Sequence, residues 1–234
     1  MLNDLVQLKT KIETHRSPIN LIENLTNGKN VLNVGAAGGV DGPNGYLPNN
    51  EDKWLHFKIL KKAKRVLATD IDDNAIKHAK MNGYKIIKEN CETMNLNQKF
   101  DIIVMSDVIE HLNAPVNAIK NLVENHLSDN GTLIITTPNG SAVHAFIRSI
   151  ARRNLNIYYD HMAVYYPEHF QAICDRLGYS LVKTYLFNFP DTRSVIIRLK
   201  GFLFNLASIL SPRLSSAMMV FIKKNKQSST NLLL

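Results

Sequence analysis

The sequence predicts an α/β fold with a mainly parallel sheet. Short runs rich in β-branched residues alternate with segments of helical periodicity along most of the 234 residues, as in strands joined by crossover helices. Residues 100–105 are apolar apart from Asp101, which indicates a strand buried on both faces. Five small residues, Gly35-Ala36-Ala37-Gly38-Gly39, follow the first strand directly. In such a fold the first strand-to-helix turn lies at the ligand-binding edge of the sheet.

The elements follow in chain order. Residues 2–14 show mixed helical spacing, and Ser17-Pro18 is a typical start for a helix that ends at Asn27-Gly28. The strands are expected at 31–34, 65–69, 84–88, 100–105, 132–137, 180–189 and 217–223. Further helices are expected after the Asp72-Asp73 cap as far as Gly83, around 114–126, and from Pro167 to Gly178.

Two segments interrupt this alternation. Residues 40–62 predict a loop followed by a short helix, and residues 191–216 are apolar and basic. We therefore divide the chain into N-terminal helices over 1–27, a core over 28–190, an apolar basic insertion over 191–216, a last strand over 217–223 and a tail over 224–234.

Composition and charge set broad bounds on function. The chain is 45% hydrophobic and carries a formal charge of +8, which suits either a lysine-rich solvated surface or an anionic partner. No basic cluster with interleaved aromatic residues is present, so nucleic-acid binding is not expected. Cys91 and Cys174 are too few for a disulfide framework or a zinc site, and no metal site is assigned. The N-terminus has no apolar signal core, so we expect a cytoplasmic protein.

The small-residue turn and the next strand together suggest a nucleoside pocket. A glycine-rich turn allows close approach of a ligand to the backbone, although tight packing alone would also explain it. Asp70 ends the second strand in "LATDID", where a carboxylate can accept hydrogen bonds from a ribose. The order G-A-A-G-G departs from the G-x-G-x-x-G pattern of dinucleotide sites.

With these features in place, the chain resembles class I S-adenosylmethionine-dependent methyltransferases, a group that includes the ubiquinone-biosynthesis O-methyltransferases. The similarity lies in "VLNVGAAGG", "LATDID", "SDVIEHL", "GTLIITTPN" and "YYPEHFQAICDRLGY", in that order. It covers about residues 28–190. It implies a Rossmann-like sheet of seven strands, with helices on both faces and the last strand antiparallel.

The resemblance also implies a set of cofactor contacts. Those expected to bind S-adenosyl-L-methionine are Asn33, Gly35, Ala37, Gly39, Asp70, Ile71, Asn90, Cys91, Ser106 and Asp107. Within this set, Asp70 would hold the ribose, Ile71 would lie against the adenine, and Asp107 would lie near the sulfonium. The family usually has an acidic residue at Asn33 and glycine at Ala37, and Asp is common where Asn90 stands. For Cys91, a role as a small buried hydrophobe competes with a role at the site.

Methyl transfer to a hydroxyl needs an aligned acceptor and a base. His111 and His161 are the candidate bases, because imidazole titrates near neutral pH. Each could instead be structural.

Residues 198–214 could form an interfacial helix that contacts the inner face of a membrane, or a helix that packs on the core. We expect a small-molecule acceptor, such as a saccharide, a lipid-linked intermediate or a quinone precursor. The oligomeric state stays open. The alternatives are a non-catalytic cofactor-binding protein, a nicotinamide-dependent oxidoreductase and a nucleic-acid methyltransferase.

Overall fold

The computed structural model describes residues 5–15, 17–42, 45–155, 157–188 and 206–225. An eight-stranded sheet forms its centre. Its strands are β1 (Ile12–Thr14), β2 (Asn30–Val34), β3 (Arg65–Asp70), β4 (Ile87–Lys88), β5 (Phe100–Ser106), β6 (Leu127–Pro138), β7 (Tyr179–Phe187) and β8 (Ala217–Lys224). The helices are α1 (Pro18–Leu25), α2 (Leu55–Lys62), α3 (Asp73–Met81), α4 (Pro115–Asn121), α5 (Val143–Ile150) and α6 (Pro167–Leu177).

The strands lie in the order β1-β7-β8-β6-β5-β2-β3-β4. The central strands β2, β3, β5 and β6 are parallel neighbours, whereas β8 runs antiparallel to both β6 and β7. The Rossmann-like, mostly parallel sheet with an antiparallel last strand is therefore confirmed. Because β2, β3, β5 and β6 are parallel, their carboxyl ends meet at one edge of the sheet, which is where α/β proteins bind ligands.

Hydrophobic packing covers both faces of the sheet. The buried strand β5 shows this directly, since Ile103 and Met105 belong to one apolar cluster and Ile102 and Val104 to another. Helices α4 and α6 contribute to the first cluster, and α1 and α2 to the second. The central strands are thus fixed from both sides, and their ends form a rigid base for a site.

Local signals placed several helix boundaries correctly. The Asp72 carboxylate caps α3 by accepting from the backbone N–H groups of Asn74 and Ala75, at 2.8 and 3.1 Å. Gly178 ends α6 in a left-handed conformation with φ of +71°.

Other predictions of local structure were wrong. The sheet has eight strands rather than seven. The additional strand is formed by residues 12–14, which pair with β7, whereas the sequence predicted a helix in this region. Strand β4 covers only Ile87–Lys88, since Tyr84 still bonds back to Ala79 at the end of α3. Helix α5 was not predicted. The helix predicted around 114–126 is confirmed, as α4 followed by a π-helical turn over Leu122–His126. Both β1 and β4 depend on partners that are distant in sequence.

The apolar basic segment is only partly described. Residues 191–205 lie outside the described residues, whereas 206–210 are helical and 211–216 lead into β8. Among the described helices, none has the length and apolar character required to cross a membrane.

Candidate active site

A cleft of about 500 Å³ opens where β2, β3 and β5 end. Nine of the sequence-predicted site residues line it, namely Gly35, Ala37, Gly39, Asp70, Ile71, Asn90, Cys91, Asp107 and His111. The structure thus brings together residues from four separate segments of the chain. The other predicted residues, Asn33, Ser106 and His161, lie next to this cleft rather than in its lining.

The glycines at its floor are required by close packing as well as by their conformation. Gly35 has φ of +70°, and a Cβ there would lie 2.2 Å from Cγ2 of Val108. Gly39 has φ of +73°, and its Cβ would lie 2.8 Å from the Tyr46 ring. A side chain at either position would therefore displace a neighbour, and the bare backbone that results is the surface a ligand meets.

Asp70 organises this floor. Its Oδ2 accepts the backbone N–H of Ala37 at 2.8 Å, and its Oδ1 accepts those of Ile71 and Asp72 at 2.7 and 3.1 Å. A carboxylate has about four acceptor positions. These bonds leave about one position, on Oδ2, for a ligand in the cleft. Ala37 itself is fully buried and contributes its backbone.

The adenine side of the predicted site is formed by a short turn. The Asn90 side chain accepts the backbone N–H of Glu92 at 2.9 Å and so holds this turn. Cys91 is buried, and burial raises the pKa of its thiol to about 12. The thiol is therefore protonated and inert near neutral pH. Ile71 is 64% exposed at the rim of the cleft, where it offers an apolar surface.

A second cavity of about 360 Å³ adjoins the cleft and shares Gly35, Gly38, Gly39 and Asp107 with it. Asn33 lines this cavity, and its Nδ2 lies 3.1 Å from Nδ1 of His56. Burial lowers the pKa of His56 to about 4, so its ring is neutral and Nδ1 accepts from the amide. A neutral partner of this kind explains why an amide suits the position.

Ser106 and Asp107 form the end of β5. Ser106 Oγ lies 2.7 Å from Thr136 Oγ1, and the Asp107 backbone N–H donates to the Thr136 carbonyl at 3.0 Å. Asp107 adopts the left-handed region with φ of +51°, which is uncommon outside glycine and recurs at functional sites. Burial raises the pKa of the Asp107 carboxyl, and its bonds to the hydroxyls of Ser106 and Thr136 oppose this shift.

The two predicted bases are in direct contact. The rings of His111 and His161 meet edge to face, with centroids 4.6 Å apart. His111 Nδ1 lies 3.1 Å from Asp160 Oδ2, and this carboxylate orients the ring. Burial and the neighbouring His111 lower the pKa of His161, so its ring is neutral near pH 7 and able to accept a proton.

Glu110 is a site residue that the sequence analysis missed. It is buried in the turn between β5 and α4, and its Oε2 accepts from Thr137 Oγ1 at 2.9 Å. Burial and nearby Asp107 raise its pKa to about 7. Its backbone oxygen accepts from the N–H of Met162 at 2.7 Å, which holds the loop carrying His161. A carboxylate between Ile109 and His111 in "VIEHL" was the signal available in the sequence.

These groups form a compact cluster. The ligating atoms of Glu110, His111 and His161 lie within 4.8 Å of one another. Two imidazoles and a carboxyl at this spacing can pass a proton between them, and they are also donors that a divalent cation accepts.

Comparison with known proteins identifies the family. The family model described as a methyltransferase domain matches residues 11–184. No protein with curated annotation matches the chain.

Several solved structures share the fold. An S-adenosylmethionine-dependent methyltransferase from Mesorhizobium loti is 15% identical with a TM-score of 0.57, and the match covers 88% of this chain and 96% of that one. Another from Clostridium acetobutylicum is 13% identical with a TM-score of 0.57, over 90% and 91% of the two chains. The N-methyltransferase NodS from Bradyrhizobium japonicum, solved with S-adenosyl-L-homocysteine, is 15% identical with a TM-score of 0.54, over 90% and 85%.

The family match extends over most of the chain and includes both the glycine turn and the histidine pair. The glycine floor, Asp70 and Asp107 line one cleft, where the carboxylates can accept hydrogen bonds from a ligand. The chain belongs to the methyltransferase domain family, and it shares its fold with the S-adenosylmethionine-dependent methyltransferases named above.

Proposed function

We propose that the protein methylates a hydroxyl group of a small-molecule acceptor, with the His111–His161 pair as the base. The observation that carries this proposal is the direct contact of the two imidazoles, 4.6 Å between ring centroids, at the mouth of the cofactor cleft. S-adenosylmethionine supplies an electrophilic methyl group on a sulfonium. The protein then has to align the acceptor oxygen and remove its proton.

The cleft offers a binding site for each part of the cofactor. The free acceptor position on Asp70 Oδ2 suits a ribose hydroxyl, and exposed Ile71 suits the adenine ring. Asp107 lies where the cleft meets the second cavity, so its carboxylate would lie beside the positive sulfur. Asn33, in that cavity, would then face the methionine portion.

The histidine pair is arranged to move a proton. Neutral His161 would take the proton from the acceptor hydroxyl as the methyl group transfers. Asp160 fixes the orientation of His111 through the 3.1 Å contact with Nδ1. The carboxylates of Asp107 and Asp160 favour the positive charge that would form on His161, because both act to raise its pKa.

Aromatic side chains surround this mouth. Tyr158 and Tyr159 are exposed on the loop before His161, with the Tyr158 ring centroid 5.2 Å from the His161 ring. Such rings suit the faces of a sugar or an apolar ring system. An amine acceptor would need this base less, because the nitrogen lone pair can attack before the proton is lost.

This proposal is tested by measuring the release of S-adenosyl-L-homocysteine with a panel of acceptors. The panel contains alcohols, phenols, saccharides and amines. We expect turnover with a hydroxyl acceptor, and we expect His161→Asn to lower kcat at least 100-fold. His78→Asn, on α3, is the matched control. Full kcat in His161→Asn, or turnover with amines alone, would overturn the role of the pair.

A further inference from the structure

Large apolar side chains are exposed along the segment that follows β6. We call residues 143–155 and 157–164 the apolar arm; it consists of α5 and the described part of the loop that leads to α6. Its exposed large apolar residues are Phe146, Ile147, Ile150, Leu155, Ile157, Tyr158, Tyr159, Met162 and Val164. Nine exposed large apolar side chains in one segment exceed the scattered ones that are normal on a protein surface, and such a concentration is typical of an interaction site.

Helix α5 has an apolar face that does not pack on the core. Phe146, Ile147 and Ile150 lie on one side of the helix and are 63%, 50% and 68% exposed. None of the eight residues of α5 is buried. An amphipathic helix normally turns its apolar face inward, so this face needs a partner outside the described chain.

A second apolar element lies close to the start of the arm. The helical residues 206–210 expose Leu206, Ile209 and Leu210. The chain immediately after them is anchored beside α5, because Ser141 Oγ donates to the Arg213 carbonyl at 2.8 Å. Asn139 Nδ2 donates to the same carbonyl at 2.8 Å. Both apolar elements therefore emerge from one point at the edge of the sheet.

The charged residues in the first part of the arm are all arginines. Arg148, Arg152 and Arg153 lie within or just after α5, and residues 142–159 contain no Asp or Glu. Arg152 and Arg153 are exposed. Apolar side chains flanked by arginines match a bilayer surface that carries anionic lipids, where arginine binds headgroup phosphates and the apolar face enters the acyl boundary.

We propose that the apolar arm binds the surface of an anionic lipid bilayer. Helix α5 is about 12 Å long at 1.5 Å per residue, so it lies along the interface rather than across a ~30 Å hydrocarbon core. The surface used is α5 and its loop, with 206–210 beside it. The arm includes Asp160 and His161, so docking would place the proposed base at the membrane surface.

This placement narrows the acceptor class. This inference rests on the proposed function. With His161 at the membrane surface, the acceptor hydroxyl would belong to an amphipathic or lipid-linked molecule whose apolar part stays in the bilayer. The acceptor would then reach His161 without leaving the membrane.

Co-sedimentation of the full chain with phosphatidylcholine vesicles, with and without 30% phosphatidylglycerol, tests the proposal. We expect binding that requires the anionic lipid and falls at least 10-fold in Phe146→Ser/Ile150→Ser. The matched control, Leu60→Ser/Met81→Ser, removes exposed apolar side chains elsewhere, at 40% and 75% exposure. It should bind like the unchanged protein. Arg152→Gln/Arg153→Gln should weaken the preference for the anionic lipid.

A second readout reports the depth of insertion. Trp54 is 2% exposed and gives a constant background, so the emission of Phe146→Trp should shift to the blue on vesicle addition and that of Met81→Trp should not. Equal binding by Phe146→Ser/Ile150→Ser and the unchanged protein would overturn the proposal. So would loss of a dimer in that variant without any vesicle binding, because a second copy would then cover the arm. Calorimetry with S-adenosylmethionine on the same variants tests the cofactor site separately.

Discussion

Asp70 Oδ2 accepts the backbone N–H of Ala37 at 2.8 Å, and this bond joins the end of β3 to the turn after β2. The carboxylate therefore shapes the glycine floor before any ligand arrives. The bond uses the backbone of Ala37, so it does not depend on the side chain at this position.

Asp70→Ala should open this turn. Removing a charged acceptor from three backbone N–H groups costs about 2 kcal/mol, which corresponds to a fall in Tm of roughly 4–8 °C for a chain of this size. We expect hydrogen exchange at the Ala37 amide to accelerate at least 10-fold. Asp73→Ala serves as the control, since Asp73 pairs with Lys88 on the surface. Unchanged protection of the Ala37 amide would contradict the role given to Asp70.

Gly35→Ala should be more costly than the same change at Gly28. Both residues have nearly the same φ, +70° and +68°, so both variants carry the left-handed penalty of ~1–2 kcal/mol. At Gly35 the new Cβ would clash with Val108. At Gly28 no atom lies within 4 Å of the new Cβ. Overpacking adds ~1–3 kcal/mol.

Urea unfolding of the two glycine variants therefore isolates the effect of the contact. Gly35→Ala/Val108→Ala should recover part of the difference, because the clashing methyl is removed. Equal free energies of unfolding for the two single variants would show that Val108 does not restrict the floor.

Glu110→Gln should change how stability depends on pH. Burial raises the pKa of Glu110 from 4.5 to about 7, so the folded state retains a proton that the unfolded chain loses. Glu110 therefore lowers stability progressively as pH rises from about 4.5 to 7, by ~3 kcal/mol in total. Below pH 4.5 it has no effect.

The measurement is the free energy of unfolding of both proteins between pH 4 and 8. Relative to the unchanged protein, Glu110→Gln should gain stability as pH rises through this range, because Gln cannot ionise. A constant difference between the two proteins would refute the raised pKa.

His161 should titrate below pH 6.5, and His111→Gln should raise its pKa. The shift arises first from burial and second from the positive charge of protonated His111. Removing that charge leaves the carboxylates of Asp107 and Asp160 to favour the protonated ring. A pH titration of the histidine Cε1 proton resonances by NMR, with and without EDTA, gives these pKa values. The acceptor does not need to be known. A His161 pKa that does not move in His111→Gln would contradict the coupling.

The sequence predicted those features that local chemistry determines. Pro18 began α1, although the Ser17 hydroxyl makes no capping bond, Asp72 capped α3, and Gly178 ended α6. Site residues at strand ends could be predicted because parallel strands bring their carboxyl ends together.

The remaining features depend on partners far along the chain. Strand β1 exists because Ile12 and Thr14 pair with Thr184 and Leu186, and three residues are too few to show a period. Glu110 was missed because only the fold places it beside Thr137 and the His161 loop. The two histidines could be named from the sequence, but their contact joins positions 50 residues apart.

Calorimetric titration with S-adenosylmethionine tests the central claim most directly. We expect one site per chain with micromolar affinity, no heat with a nicotinamide dinucleotide, and at least 10-fold weaker binding in Asp70→Ala. Binding that Asp70→Ala leaves unchanged, or a dinucleotide that binds in place of S-adenosylmethionine, would contradict the assignment of this cleft.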